Sequence, residues 1–290
     1  MIRFSSIQGN DQRLDGGAMF GNAPKALWQK WITPDALNRI PLATRALLVE
    51  TDHHAILFEA GIGAYMPPHL RERFEITQSS HMLLDNLQTL GLTHKDITDI
   101  VLSHLHFDHA GGLLSPWEEE KSPALLFPNA RFHVGREAWD RANQPHQRDQ
   151  ASFIPDLNQK LSESNRLMCV DDGEVRQWDD LEIRFTTSQG HTPGMLCSDL
   201  RFASGRVLVA ADLIPGTPWV HLPITMGYDR FPEKLIEEKK TFLSDAADTD
   251  AWVFFTHDPE VALAKITFDP DRKRFLPKTP QNQFTRLPLG

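Results

Sequence analysis

The sequence predicts an α/β protein built as a four-layer αββα sandwich, with two mixed β-sheets face to face and helices outside. Three observations predict it. Strand-like runs followed by a helical segment recur in both halves of the chain. Several of those runs end in a histidine or aspartate, which would gather polar loops at one edge of the sheets. The 290 residues, 40% of them apolar, suffice for one large core, read as a single domain over residues 1–290 with 1–40 as an N-terminal arm.

Taken in order, residues 1–40 carry Gly and Trp punctuation and read as a strand-poor arm. Residues 43–50 and 55–59 are strands joined by a polar hairpin at 51–54. Residues 79–90 form a helix with Leu83, Leu87 and Leu90 on one face, stopped by Gly91. The run 97–103 (ITDIVLS) is apolar and β-branched, a short buried strand. Another strand spans 131–134, a helix 137–142, and the polar stretch 143–156 is a candidate active-site flap. Strands follow at 167–170, 181–187, 206–211 and 251–256. Between the last two, 233–247 carries Leu235, Ile236, Phe242, Leu243 and Ala246 at helical spacing. Its charge run Glu237-Glu238-Lys239-Lys240 is assigned to a solvated face. Residues 261–277 read as a closing hairpin around Asp269-Pro270-Asp271.

The chemistry concentrates directly after the 97–103 strand. His104-Leu105-His106-Phe107-Asp108-His109 places four metal-ligating side chains within six residues, and Ala110-Gly111-Gly112 lets the backbone approach closely. Imidazole with carboxylate suits zinc, iron or manganese rather than calcium, which takes oxygen. One loop cannot complete two metal shells. Three further strand-like runs supply candidates: His191 in Gly190-His191-Thr192-Pro193-Gly194, Asp212 after 206–211, and His257 after 251–256. Cys197 lies six residues beyond His191 and reads as a small core residue of a strand.

Composition narrows the class. Thirty basic against 39 acidic residues give a net charge of −9, which opposes phosphate backbones, and no nucleic-acid partner is expected. No apolar run approaches a membrane span, and no signal-peptide core opens the chain, so no membrane partner is expected. Two cysteines, Cys169 and Cys197, are no disulfide framework, and a reduced cytoplasmic protein is the simplest expectation.

The order H-x-H-x-D-H, G-H-T-P-G, an aspartate after a short apolar strand and a late histidine resembles the metallo-β-lactamase superfamily over roughly residues 45–258. One departure stands out. Where the family has an aspartate in its first motif, this chain has Phe58-Glu59-Ala60-Gly61, and Glu59 is the candidate replacement. Leu14-Asp15-Gly16-Gly17-Ala18-Met19-Phe20-Gly21 with Pro24 to Trp28 resembles the quorum-quenching N-acyl-homoserine lactonases, in particular their YtnP-like branch. So do Asp212-Leu213-Ile214-Pro215, Met226-Gly227-Tyr228-Asp229 and Glu237 to Lys240.

The resemblance implies two divalent ions, zinc first, with cobalt, manganese or iron as alternatives. It assigns His104, His106 and His191 to one ion, Asp108, His109 and His257 to the other, and Asp212 to both. It implies ring opening of N-acyl-homoserine lactones or related small lactones and esters by a metal-bridging hydroxide, with ions about 3.5–4 Å apart. Asp108 would shuttle a proton to the leaving group and Asp212 would hold the bridge, the two catalytic carboxylates. Met19, Phe20, Trp28 and Phe107 are candidate walls for an acyl chain. His221 is a candidate substrate contact, and Tyr228 a candidate for the carbonyl-binding tyrosine that Pro215 replaces. A homodimer is expected from the resemblance alone. Alternatives are organophosphate or phosphodiester hydrolysis at the same centre, and a mononuclear iron oxidoreductase. Thioester hydrolysis is weakened because only 33 residues follow His257.

Overall fold

The computed structural model describes residues 2–289. Two sheets form the centre. In the first, Arg3–Ile7, Ala46–Glu50, Ala55–Phe58, Asp99–Leu102, Arg131–Gly135 and Leu167–Val170 lie side by side in that order. Its first two pairings are antiparallel and the rest parallel. The second runs Arg274–Gln281, Leu263–Asp269, Trp252–Phe254, Gly205–Val209, Met195–Phe202, Leu181–Ser188 and Val175–Trp178. Only Gly205–Val209 and Trp252–Phe254 pair in parallel there. Both sheets are therefore mixed, and the arrangement is the αββα sandwich expected.

The burial pattern explains the layers. Ala46–Glu50, Ala55–Phe58 and Asp99–Leu102 are buried at every position, as strands covered on both faces must be. Phe4, Val49, Phe58 and Val101 of the first sheet share one cluster with Ile183, Phe185, Leu200, Val209 and Phe254 of the second. Each such side chain contributes roughly 1.5–3 kcal/mol by burial, so this shared layer fixes the face-to-face packing. Leu83, Leu87, Ala138, Leu157 and Leu161 cover the outer face of the first sheet from the helices Met82–Thr89, Arg136–Asn143 and Pro155–Glu163. Leu235, Leu243 and Ala246 of Pro232–Asp248 cover the second.

Three expectations are corrected. The N-terminal segment is not strand-poor: Arg3–Ile7 is an edge strand, and Gln12–Asp15 pairs with Arg39–Leu42 in a separate two-stranded ribbon. Ser5 disguised the first of these. It is buried because its hydroxyl accepts the Arg286 N–H at 2.8 Å. The candidate flap is shorter than expected, because Pro155 starts the helix Pro155–Glu163. The charge run at 237–240 is not all solvated. Lys239 is fully buried and donates to the carbonyls of His221, Leu222 and Ile224 at 3.1, 3.3 and 2.7 Å. Glu238 turns inward to accept from Ser188 Oγ and from the N–H groups of Gln189 and Gly190.

Among the described residues, no helix is long and apolar enough to cross a membrane. The loops after Asp99–Leu102, Leu181–Ser188, Gly205–Val209 and Trp252–Phe254 meet at one edge. There Leu196 N–H donates to Ser103 O at 2.8 Å and Arg45 N–H to Thr256 O at 3.1 Å, tying the two sheets together beside the site.

Candidate metal centre

The four loops bring His104, His106, Asp108, His109, His191, Asp212 and His257 into one buried cluster. His106 precedes the short helix Phe107–Ala110, whose first turn swings Asp108 and His109 toward the same point. The two glycines after it are sterically required. A Cβ on Gly112 would stand 2.0 Å from the Ala60 carbonyl oxygen, and one on Gly111 2.4 Å from that of Ile62.

Hydrogen bonds fix which ring nitrogen faces inward. His257 Nδ1 donates to Ala43 O at 2.7 Å and His191 Nδ1 lies 3.0 Å from Asp229 Oδ1, while His109 Nδ1 faces Glu59 Oε2 at 3.2 Å as an ion-pair contact without hydrogen-bond geometry. Each partner is an acceptor, so each neutral ring turns an Nε2 lone pair inward. The Nε2 atoms of His109 and His257 are then only 3.0 Å apart. His106 Nδ1 likewise stands 3.0 Å from His104 Nε2 and 3.4 Å from His191 Nε2. Lone pairs converging at such distances repel unless a cation or proton lies among them, so the donor set fits divalent metal.

Asp212 joins the halves. Its Oδ1 lies 3.3 Å from His109 Nε2 and 3.1 Å from His257 Nε2, while Oδ2 lies 3.2 Å from His191 Nε2. His104, His106 and His191 form one potential ligand group, Asp108, His109 and His257 another, and Asp212 approaches His104 and His109 in a third.

Electrostatics follow from burial and this crowding. Burial, with His109 and neighbouring rings, holds His104 and His106 well below the usual histidine pKa, and so neutral. Burial is the largest influence on His109, His191 and His257 and would depress them too, but Asp212 opposes it together with Glu59 and Asp108 at His109, Asp229 at His191 and Asp108 at His257, and the combined carboxylates raise all three. Burial would raise Asp212, yet His109, His257 and His191 pull it well below the carboxylate range.

Glu59, the candidate replacement for the family's aspartate, stands against His109. Its Oε1 accepts the Ser103 N–H at 3.2 Å while Oε2 faces His109, and its φ of 68° aims the longer side chain. Asp229 is a positioning residue that sequence reasoning missed, although its motif stood out. It accepts the Met226 N–H through Oδ2 at 2.6 Å and orients His191 through Oδ1.

The centre opens into a cavity of about 230 Å³. Of the expected substrate contacts, Met19, Phe107 and Tyr228 line it, with Leu14, Leu42, Phe74 and Met226. Phe20 and Trp28 do not. They are 0% and 1% exposed, stacked in the core, Phe20 against Trp28 at 5.3 Å and Trp219 at 4.6 Å. His221 is also displaced, lining a separate groove with Trp31 and Pro277 while its carbonyl accepts from Lys239. From the 143–156 stretch, Arg148, Asp149, Ala151 and Ser152 reach the cavity. Arg148 donates to Gly227 O at 2.8 Å, and Arg73, also in the wall, lies over the Phe74 ring at 5.7 Å. Among the described residues neither guanidinium has a carboxylate partner. Cys197 is no ligand: it is buried in its strand, and burial pushes its thiol up to about 12.

Residues 39–257 match the family described as the Metallo-beta-lactamase superfamily. An N-acyl homoserine lactonase of Bacillus cereus is 26% identical over 176 residues, covering 56% of this chain and 59% of that protein. The chain spans about half the length of the curated relatives it matches, between 48% and 59% for three of them. Among solved structures, a probable metal-dependent hydrolase from Staphylococcus aureus superposes with a TM-score of 0.84 at 25% identity, over 100% of this chain and 98% of that one. The dizinc quorum-quenching lactonase AidC, in complex with a product, superposes with a TM-score of 0.74 at 23% identity, over 96% and 94%.

Proposed function

This chain belongs to the metallo-beta-lactamase superfamily, and we propose that it is a dinuclear metal-dependent hydrolase that opens the ring of N-acyl-homoserine lactones or related small lactones. The carrying observation is the convergence of seven potentially ligating side chains, His104, His106 and His191 in one group, Asp108, His109 and His257 in another, with Asp212 within 3.3 Å of His109, His191 and His257, beneath a mostly apolar cavity. His104, His106 and His191 would hold one divalent ion, and Asp108, His109 and His257 the other. Ions held there would supply a hydroxide nucleophile and Lewis acidity at neutral pH. The chain's own residues do the rest. Asp229 and the Ala43 carbonyl fix the tautomers of His191 and His257, and Glu59 faces His109 Nδ1 electrostatically. Asp108, at the cavity wall, would take up the proton that the attacking hydroxide gives up and pass it to the departing alkoxide. Met19, Phe74, Phe107 and Met226 exclude water and offer an acyl chain an apolar wall.

The kinship to an N-acyl homoserine lactonase and the superposition on AidC support the lactone reading. A lactone panel of graded acyl length, offered to metal-loaded protein, is the test. Appearance of the ring-opened acid is expected, and opening of no member overturns the reading. A second reading, phosphodiester or organophosphate hydrolysis, is favoured by one observation, the two unpaired guanidiniums in the cavity wall. Phosphoester turnover exceeding lactone turnover would select it.

A further inference from the structure

Gln12 stands on the two-stranded ribbon, paired with Leu42. It is 1% exposed, and its Nε2 donates to Asp108 Oδ2 at 2.7 Å. Its own carbonyl oxygen is buried without a partner. That arrangement is poor for stability alone. A leucine or methionine would fill the same volume with no orphaned acceptor, so the amide's use must lie in the contact it makes.

Asp108 is otherwise loosely held. Its Oδ1 is 3.9 Å from His109 Nε2 and its Oδ2 3.7 Å from His257 Nε2, both beyond hydrogen-bond length. Rotation about its Cβ–Cγ bond would turn the oxygens away from the two imidazoles. The amide of Gln12 opposes that rotation. The same ribbon ends at Leu42, and the next residue, Ala43, accepts from His257 Nδ1 at 2.7 Å. One short element thus holds two of the three side chains of the Asp108, His109 and His257 group, and touches none of the other group's imidazoles by hydrogen bond.

We propose that Gln12 is a positioning residue for the second metal position, fixing the Asp108 carboxylate so that one oxygen faces the ion while the other stays on the amide. The inference rests on the dinuclear reading above but not on the lactone. A neutral donor suits the task, because it orients the carboxylate without neutralising the charge that the metal needs. A ligating carboxylate whose outer partner is removed loses 10–100-fold in metal affinity or activity, roughly.

The experiment measures metal per chain and competition against a graded chelator for wild type, Gln12→Met and Gln12→Asn, with metal-free melting as the fold control. The methionine keeps the volume and loses the donor. The asparagine keeps the amide but withdraws it by one methylene, and serves where the methionine variant fails to fold. The expected result is two ions in wild type, with the first retained and the second weakened about 10–100-fold in both variants. Cobalt-loaded samples should lose the absorption of the second ion alone. Two ions held with unchanged affinity in a folded variant overturn the role of Gln12. A wild type that takes up only one ion overturns the dinuclear reading, and this inference with it.

Discussion

Asp229 Oδ1 stands 3.0 Å from His191 Nδ1, on the side of the ring opposite the Nε2 that faces Asp212. The carboxylate is itself pinned by the Met226 N–H at 2.6 Å, so His191 is aimed by a loop 38 residues away. Asp229→Ala is expected to weaken the ion held by His104, His106 and His191 by about 10–100-fold while leaving the other ion in place. Chelator competition followed ion by ion checks this, and equal weakening of both contradicts it.

Lys239 anchors the start of that same loop. Burial lowers its pKa to about 7, yet the carbonyls of His221, Leu222 and Ile224 match all three N–H groups of the ammonium form. Lys239→Met leaves those carbonyls without their donor. A loss of about 2–4 kcal/mol is expected, each unsatisfied group costing about 1–3 kcal/mol before relaxation. Denaturant unfolding measures it, and a change under about 0.5 kcal/mol, the level of an ordinary surface substitution, would contradict the anchoring role.

The metal-free chain should lose stability as pH rises above neutrality. His109, His191 and His257 have folded values above the unfolded one, so the stability from their imidazolium forms is complete below about 6.5 and is lost as pH climbs through the raised values. His104 and His106, held low, stay neutral in both states over that window and add no slope, and Lys239, lowered to about 7, adds a slope of opposite sign that one group against three histidines does not cancel. Bound metal displaces the same protons, so metal affinity should rise over the pH range in which apo stability falls. Melting and metal titration from about pH 6.5 upward check both signs.

Arg73 and Arg148 distinguish the two substrate readings. Replacing both with methionine should lower phosphodiester turnover about tenfold or more, the loss of one charge-assisted hydrogen bond, and leave neutral lactone turnover within about threefold. A larger loss on the lactones would assign the guanidiniums to lactone binding.

Much of the candidate site was legible because the side chains the fold brings together follow short buried strands, where period-2 patterning and a terminal His or Asp are both visible in one dimension. His104 to His109, His191, Asp212 and His257 are of this kind. The residues that orient them are remote in sequence and ordinary in type. Gln12 reaches Asp108 across 96 positions, and Asp229 and Glu238 lie in a turn and on a helix whose polarity alone suggests solvent. The aromatic walls were misjudged for a related reason. Met19, Phe20 and Trp28 share one segment, yet only Met19 faces the cavity, and Phe20 is stacked inward against both Trp28 and Trp219. The edge strand Arg3–Ile7 was hidden because a buried serine breaks the apolar pattern that marks a strand.

Metal content of the purified, metal-reconstituted chain tests the central claim most directly. Two divalent ions per chain, falling to one in His257→Ala and in His191→Ala, are the predicted result. One ion or none in the wild type would contradict it.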